Sequence, residues 1–458
     1  MDCASMTARG LTRPDNRISF TDQVMFLAMR ATGQESVMQG VWVYEHPVDF
    51  DGLRRFHRNL GNGVVGRRIE PSPLPFGRHR WVADVGPRPD MKIAETPRPR
   101  AELSDWVDEQ AQLPIDPEWG PTWSMGVLPL TDGSTAVSMV ASHCVADGVG
   151  ALAAIIDAAT GNIRDFGYPP PHSRSRLRTA ALDGRQTVQD LPEVASALGK
   201  GIRQAFRRRH DFARSSESRP IRSDGADCVV AVPSVSIYVD LGDWDARAEA
   251  LGGNSYSLVA GFAAKLAERV GRRRAADGAV TLNIPVSERT LDDTRANAVA
   301  LFNISLDPTV VAKDLSGTRA ALRQAVKTAR EVPDEALELL PLIPFVPKRA
   351  VRKLADVLFG FSADLPVSCS NVGDLPPEIA CVDGTPAEYV ALRGVDRRIT
   401  QRTLEERCGL LTLVVGRVVG KMSISIVAYE PGGINTKAHL RELAAQTLAE
   451  FELTGVID

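Results

Sequence analysis

The chain lacks the usual features of a secreted or membrane-spanning protein. Its six cysteines are scattered without a C-x-x-C pair, at positions 3, 144, 228, 369, 381 and 408, which is typical of a reducing compartment. No uninterrupted apolar run reaches the roughly 18 residues of a spanning helix, and residues 1–16 carry charges without the apolar core of a secretory signal. We therefore expect a cytoplasmic protein, with peripheral contact to the inner face of the membrane left open.

The chain also has little net charge and lacks a clear metal-ligand pattern. The formal net charge is only −3, so nothing in the overall balance favours a nucleic-acid partner. No third ligand of suitable spacing accompanies the His143 and Asp147 side chains discussed below, which argues against a metal site. By contrast, 458 residues with 44% hydrophobic composition allow two domains of about 200 residues each.

The most informative segment is the turn His143 to Gly148, which follows an apolar hairpin and precedes a helix rich in small residues. Asp132-Gly133 supplies the hairpin turn, and Gly161 is a plausible stop for the helix. The turn brings an imidazole, a carboxylate and a glycine together. An unperturbed imidazole is largely neutral at pH 7 and can accept a proton from a hydroxyl or an amine, so His143 is a candidate general base.

The neighbouring residues have simpler roles. We expect Asp147 to organise the turn, with a cation or backbone donors beside its carboxylate, and Gly148 to allow a sharp turn and a close approach of substrate. Cys144 should point away from His143 and fill the core, because adjacent residues on an extended segment face opposite sides. The pattern H-x-x-x-D-G is short, and a hydrogen-bonded structural histidine remains the alternative.

Alternating strand and helix patterns divide the chain into two α/β units. The first unit spans residues 1–165 and the second spans residues 228–458, where we expect strands at 229–239, 280–286 and 299–306. Between them, residues 166–227 are polar, basic and contain prolines, which predicts a crossover linker.

Two stretches outside these patterns are candidates for contact with a membrane surface or for the lining of an acyl tunnel. Residues 191–209 predict a basic amphipathic helix, suited to an anionic membrane surface; the alternative is a solvated helix whose arginines pair with acids. Residues 336–345 are apolar with several prolines, so we expect an irregular segment, followed by a basic amphipathic pattern at 351–359. This apolar segment would line an acyl tunnel, touch lipid or pack between domains.

Several landmarks occur in a fixed order over nearly the whole chain. They are Phe20-Thr21-Asp22-Gln23, Gly120-Pro121-Thr122-Trp123, His143 to Gly148, Asn283 to Arg289 with Asn297 and Asn303, and Ser368 to Gly373. This order resembles the chloramphenicol-acetyltransferase-like acyltransferases, which include peptide-synthetase condensation domains and wax ester synthase/diacylglycerol acyltransferases. The chain departs from the family pattern at Ser142, where most relatives have a first histidine, at Thr122, and after the Ser-Asn-Val segment.

The resemblance implies a fold, a reaction and a set of site residues. The fold would be α/β, with two subdomains of mixed sheet and helices that form a V-shaped pair around a central channel. His143 would act as general base in transfer of an acyl group from a thioester to an alcohol, and no bound cofactor would be needed beyond acyl-CoA or a phosphopantetheine thioester as co-substrate. Ser370 and Asn371, with amides near Gly148, would stabilise the oxyanion. Asp147 would pair with an arginine, either Arg68, which we prefer, or Arg289.

Two other functions stay open at this point. A free-standing condensation enzyme would take its donor from an acyl carrier protein and form an ester or an amide. A catalytically inactive scaffold would bind acyl groups or a partner, as the Ser142 departure suggests. The acceptor would be a small molecule or a lipid in either enzyme.

Overall fold

The computed structural model describes residues 16–84, 86, 89–162, 164–207, 227–290, 293–331, 337–346 and 365–458. Residues 351–359, and the basic residues Arg208, Arg209, Lys348 and Arg349, lie outside this range. In the described part of the chain, no helix combines the length and the hydropathy needed to cross a membrane.

The helices alternate with strands through most of the chain, as expected for an α/β protein. They are α1 (Phe20–Thr32), α2 (Phe50–Leu60), α3 (Leu103–Ala111), α4 (Gly148–Thr160), α5 (Arg176–Arg207), α6 (Leu241–Ala250), α7 (Ser255–Arg269), α8 (Ser316–Glu331), α9 (Gln401–Glu406) and α10 (Lys437–Glu450). Short 3₁₀ helices cover Val64–Gly66, Arg100–Glu102, Leu337–Phe345 and Pro377–Ala380.

The strands form two mixed sheets and a small ribbon. In chain order they are β1 (Glu35–Tyr44), β2 (Arg67–Glu70), β3 (Arg80–Ala83), β4 (Lys92–Ile93), β5 (Trp123–Pro129), β6 (Thr135–Ser142), β7 (Ser234–Asp240), β8 (Val280–Ser287), β9 (Val299–Leu306), β10 (Val367–Asp374), β11 (Tyr389–Arg397), β12 (Leu410–Val418), β13 (Lys421–Tyr429) and β14 (Val456–Ile457). The first sheet has the order β11-β1-β6-β5-β4, the second β14-β7-β13-β12-β10-β8-β9, and β2 pairs with β3. The predicted pair of mixed α/β lobes is therefore confirmed.

The division of the chain by sequence does not follow the sheets. Strand β11 comes from the second unit, yet it pairs antiparallel with β1 over its whole length and forms an edge of the first sheet. Ile379 and Val390 accordingly pack in the first core with Trp42 and Phe56. Residues 377–397 thus belong structurally to the first lobe, so the boundary placed at residue 228 separates only part of the second unit.

Three predicted elements differ from the structure. The linker contains α5, a helix of 32 residues that begins at Arg176 rather than at Leu191 and includes Pro192. Residues 337–345 form a 3₁₀ helix instead of an irregular segment, with Pro341 and Pro344 inside it. The strand expected from residue 229 begins at Ser234, and Val229 makes only an isolated bridge to Thr400.

Each lobe has its own core, and both are built from the helices that cover the sheets. In the second lobe, α7 is almost wholly buried and packs its alanines and leucines against the sheet. In the first lobe, α2 and α4 cover the face that carries Trp42 and Trp123. This arrangement fixes α4, and with it the turn from His143 to Gly148, against a rigid sheet.

Candidate active site

His143 follows directly after the buried strand β6. Its amide donates to the Ser36 carbonyl of β1 at 3.0 Å, and its carbonyl accepts a hydrogen bond from Asn297 Nδ2 at 3.3 Å. The residue is partly exposed, and its ring Nδ1 has no hydrogen-bond partner among the described residues. The main chain of His143 is therefore held from both lobes while its imidazole is left uncommitted.

Asp147 organises the turn in the way its position suggested. It is the N-cap of α4, where its Oδ1 accepts the Gly150 amide at 2.7 Å. Its Oδ2 accepts the Ala298 amide at 2.9 Å and lies 2.9 Å from Arg289 Nη2. The residue is only 2% exposed, so a cation and backbone donors together satisfy a carboxylate that would otherwise be costly to bury.

Of the two candidate partners of Asp147, the structure selects Arg289, and the preference for Arg68 was wrong. Arg68 Nε lies 3.3 Å from Asp84, and its Nη1 donates to the Trp119 carbonyl at 2.8 Å. Arg289 instead folds back over its own loop, donating to the carbonyls of Arg295 and Ala296. A residue of the second lobe thus holds the turn from His143 to Gly148 in the first.

The adjacent Arg67 is the residue that the sequence reasoning missed. It is 2% exposed, and its guanidinium donates to the Val145 carbonyl at 2.8 Å and to the Thr294 carbonyl at 2.5 Å. Its guanidinium carbon also lies 3.7 Å from the centre of the Trp81 ring. Burial lowers the pKa of the Arg67 guanidinium. Side chains alternate along a strand, so one residue of the Arg67-Arg68 pair had to face inward.

Asp22 makes a second buried connection between the lobes. Its carboxylate is fully buried and accepts hydrogen bonds from the Ala296 amide at 3.0 Å, the Asn297 amide at 2.8 Å and Asn297 Nδ2 at 3.1 Å. Asn297 Nδ2 is the same group that reaches the His143 carbonyl. Two landmarks that lie far apart in the sequence, at residues 22 and 297, therefore meet beside the turn from His143 to Gly148.

Gly148 and Gly150 have different surroundings. Gly148 has no positive φ, and a Cβ added there would have open space around it within 4 Å. A Cβ on Gly150 would lie 3.1 Å from Asp147 Oδ1 and 3.2 Å from Arg289 Nη2. A side chain at position 150 would therefore be too close to the Asp147–Arg289 ion pair, so a glycine is needed there. Gly148, by contrast, has open space beside it at the start of α4.

The two residues expected to support the oxyanion lie on β10. Asn371 Oδ1 accepts the Gly373 amide at 2.9 Å, and both Ser370 and Asn371 are partly buried. No hydrogen bond joins either residue to the His143 turn within the described ranges. Further along this strand, Val372 and Leu375 pack against the first core, so β10 reaches from the second lobe to the first.

The residues on either side of His143 are buried away from it. Cys144 packs against Met29 in a small core, and burial raises the pKa of its thiol; the prediction that it fills the core is confirmed. Ser142 is fully buried and accepts the Cys144 amide at 3.3 Å. Beneath it, Glu35 pairs with Arg397 at 2.5 Å, and burial raises the pKa of the Glu35 carboxyl.

A cavity of about 390 Å³ lies between α1, α5 and the 3₁₀ helix Leu337–Phe345. Its lining includes Phe20, Ser196, Lys200 and Leu340 but none of the residues from His143 to Gly148. Among the residues described, no group of three or more His, Cys, Asp or Glu side chains is suited to hold a metal ion.

Comparisons with known proteins agree with this fold. Residues 57–232 match the family model of the wax ester synthase/diacylglycerol acyltransferase catalytic domain. No curated protein sequence matches the chain. Among solved structures, a wax ester synthase/diacylglycerol acyltransferase from Marinobacter aquaeolei VT8 is 17% identical, with 95% of this chain and 98% of that chain covered and a TM-score of 0.54.

Two further structures extend the comparison. The first condensation domain of the calcium-dependent antibiotic synthetase, in complex with a substrate analogue, is 15% identical over 95% of this chain and 96% of that chain, with a TM-score of 0.56. Polyketide synthase associated protein 5 from Mycobacterium tuberculosis is 14% identical over 95% and 98%, with a TM-score of 0.51. The chain thus shares the two-lobed fold of these structures, and its residues 57–232 are similar to the wax ester synthase/diacylglycerol acyltransferase catalytic domain.

Proposed function

We propose that the protein transfers an acyl group from a thioester, with acyl-CoA as donor, to the hydroxyl group of an acceptor, and that His143 is the general base. One observation carries this proposal. The main chain of His143 is fixed by hydrogen bonds to Ser36 and Asn297, whereas its ring Nδ1 is unpartnered among the described residues and the residue is partly exposed. A structural histidine would be expected to use its ring nitrogens.

The proposed reaction is a direct transfer. His143 removes the hydroxyl proton as the oxygen attacks the thioester carbonyl, which forms a tetrahedral oxyanion. Collapse of this species breaks the carbon–sulfur bond, and the proton passes from His143 to the departing thiolate. Atoms and charges balance without an acyl-enzyme.

The oxyanion requires hydrogen-bond donors. At the start of α4, the Gly148 and Val149 amides precede the first intrahelical hydrogen bond, which runs from the Ala151 amide to the Asp147 carbonyl. The open space in front of Gly148 would admit the reacting carbonyl, and Ser370 and Asn371 would add side-chain donors from the facing lobe.

A free-standing condensation enzyme is the second candidate, because the fold is shared with a condensation domain. In that case the donor is carried by an acyl carrier protein, and an amine is a possible acceptor. Turnover of a free acyl-CoA without any carrier protein supports the first proposal, and a strict requirement for a loaded carrier protein supports the second.

The inactive scaffold is the least supported alternative. It was motivated by Ser142, which occupies the position of the first histidine in most relatives, and by the altered residues after the Ser-Asn-Val segment. Because Ser142 is fully buried and bonded to the Cys144 amide, this departure removes no group from the accessible side of the turn.

A product search tests these alternatives. The protein is incubated with a mixed acyl-CoA pool and a cell extract; free thiol release is followed, and products are identified by mass spectrometry. The His143→Ala variant should lose roughly 10²-fold or more of the activity. The His172→Ala variant is the control, because the His172 side chain is 82% exposed beside Glu70. Activity that survives in His143→Ala, or is lost equally in both variants, would contradict the role of His143.

A further inference from the structure

The long helix α5 exposes a continuous apolar stripe. Its large exposed hydrophobic residues follow helical spacing, so they lie on one face that extends about 38 Å along the axis. They are Leu177 (85% exposed), Val188 (65%), Leu191 (48%), Leu198 (52%) and Ile202 (51%). Ala181 and Ala195, both exposed, lie between them on the same face. Isolated exposed leucines are ordinary, but a stripe of this length along one helix needs a partner.

Two acids of α5 are paired with arginines on the side that faces the body of the protein. Its acids Asp183 and Asp190 turn toward the body of the protein, where Asp183 pairs with Arg80 at 2.5 Å and Asp190 approaches Arg17 and Arg78. Glu193 lines the inner cavity together with Lys200.

The arginines on the outer side of α5 are exposed, and the described carboxylates form no ion pair with any of them. These are Arg178, Arg185 and Arg203. Within the predicted helix 191–209, Lys200 pairs with Glu338 at 2.7 Å, Arg203 forms no ion pair with a described carboxylate, and Arg208 and Arg209 lie outside the described residues.

We propose that the outer face of α5 docks onto an anionic lipid surface, with the apolar stripe in the headgroup region and the arginines on lipid phosphates. Helices with an apolar face and a cationic flank bind such surfaces. The stripe is long and purely aliphatic, whereas the energetic centres of protein interfaces are rich in Trp and Tyr. A flat, extended surface fits these features better than a compact partner.

An exposed aromatic pair lies on two segments that are attached to α5. Phe76 and Phe345 are 38% and 45% exposed and stack with their ring centres 6.2 Å apart. The segments that carry them are anchored to α5 through Ser72 with Asp183 and through Glu338 with Lys200. The loop that carries Phe76 and the 3₁₀ helix that carries Phe345 are thus both attached to α5.

Vesicle sedimentation with the full chain tests this proposal. Vesicles of phosphatidylcholine alone are compared with vesicles that also contain phosphatidylglycerol, at low and high salt. We expect binding to the anionic vesicles, weakened by salt, and little binding to the neutral ones. The His143→Ala variant should bind like the unmodified protein, so the result does not depend on the proposed reaction.

Two variants and a matched control locate the contact. Arg178→Gln/Arg185→Gln/Arg203→Gln should lower the partition coefficient roughly 100-fold, and Leu198→Ser/Ile202→Ser roughly 10-fold or more. The control is Arg319→Gln/Arg323→Gln/Lys327→Gln on α8, which removes the same charge from a helix without large exposed hydrophobic residues among its described side chains. It should bind nearly as well as the unmodified protein.

Three results would overturn the proposal. Equal losses in the α5 and α8 triple variants would indicate a response to net charge alone. A dimer in sedimentation velocity that dissociates in Leu198→Ser/Ile202→Ser would assign the stripe to a second copy of the chain. Absence of vesicle binding, with an acidic carrier protein bound through the same arginines, would assign the surface to that protein.

Discussion

The two lobes meet beside His143 in a joint formed by Asp22, Arg67, Asp147 and Arg289. This joint and the outer face of α5 both depend on arginines, but they use them in opposite ways. At the joint, Arg67 and Arg289 are buried or nearly so, and each donates to fixed carbonyls or pairs with Asp147. On α5, Arg178, Arg185 and Arg203 are exposed and have no carboxylate partner among the described residues. A buried charge with fixed partners determines geometry, whereas an exposed one without partners remains available for binding.

The same contrast explains why the two regions should respond differently to substitution. Removing one member of a buried pair leaves the other charge uncompensated in a poorly solvated site. Removing an exposed charge changes little in the folded state, so its effect is confined to association. Substitutions in the joint should therefore change the free energy of unfolding, and substitutions on the outer face of α5 should change binding.

The largest effect on stability is expected from Asp147→Ala. This change leaves the Gly150 and Ala298 amides without their acceptor and the Arg289 guanidinium without its counter-ion. The free energy of unfolding in urea should fall by about 3–5 kcal/mol. Asp245→Ala is the matched control, because Asp245 pairs with Arg417 but is 44% exposed; its cost should be about 0–1 kcal/mol. Similar costs for both variants would remove the distinction between the buried joint and exposed pairs.

Local signals predicted those parts of the fold that local chemistry determines. The strand Val299–Leu306 was expected with these bounds. The end of α4 was expected at Gly161, which adopts the left-handed conformation at φ 74°. In the hairpin before His143, Gly133 has φ 88°. Each of these features depends on residues within a few positions of one another.

Long-range partners could not be predicted in the same way. The alternation of Arg67 and Arg68 was visible, but which of them faces inward depends on the register of a four-residue strand, and register is set by tertiary packing. In the same way, β11 has a strand pattern that does not specify whether it joins the first or the second sheet.

The start of α5 was missed for a related reason. Its first two turns expose Leu177 to solvent and bury little, so the apolar periodicity that identifies a helix begins late.

The second largest effect on stability is expected from a change of pH, through the buried His79 near Asp183 of α5. Burial lowers the pKa of His79 to about 4, where its Nδ1 accepts the Ser72 amide at 3.2 Å. The unfolded chain takes up a proton near pH 6.5 and the folded protein only near pH 4, so stability should be lost as pH falls through this range. The expected loss is about 3 kcal/mol.

Two variants isolate this contribution in urea titrations at pH 7 and pH 4. His79→Gln keeps a hydrogen-bond acceptor without the ionisable ring and should reduce the pH dependence of stability. His172→Gln, at an exposed position, should not. An unchanged pH dependence in His79→Gln would indicate that His79 is protonated in the folded protein as readily as in the unfolded chain.

Asp22→Asn should cause the smallest change in stability and is the sharpest test of the joint. The variant keeps the size of the side chain but turns one acceptor oxygen into a donor that faces the Ala296 and Asn297 donors. The free energy of unfolding should fall by about 1–3 kcal/mol. Asn297 Nδ2 would lose its acceptor Asp22 Oδ1 and hold the His143 carbonyl less firmly.

If Asp22 is a positioning residue for His143, its loss should lower kcat about 10-fold and leave KM for the thioester nearly unchanged, because misplacing the base affects the transition state more than substrate binding. Asp314→Asn is the control, since its carboxylate accepts the Ser316 amide at an exposed site in the second lobe and should alter neither constant. A rise in KM at constant kcat would place Asp22 in substrate binding. Loss of stability with both constants unchanged would make it a purely structural connection between the lobes, and the comparison with α5 would then concern folding rather than catalysis.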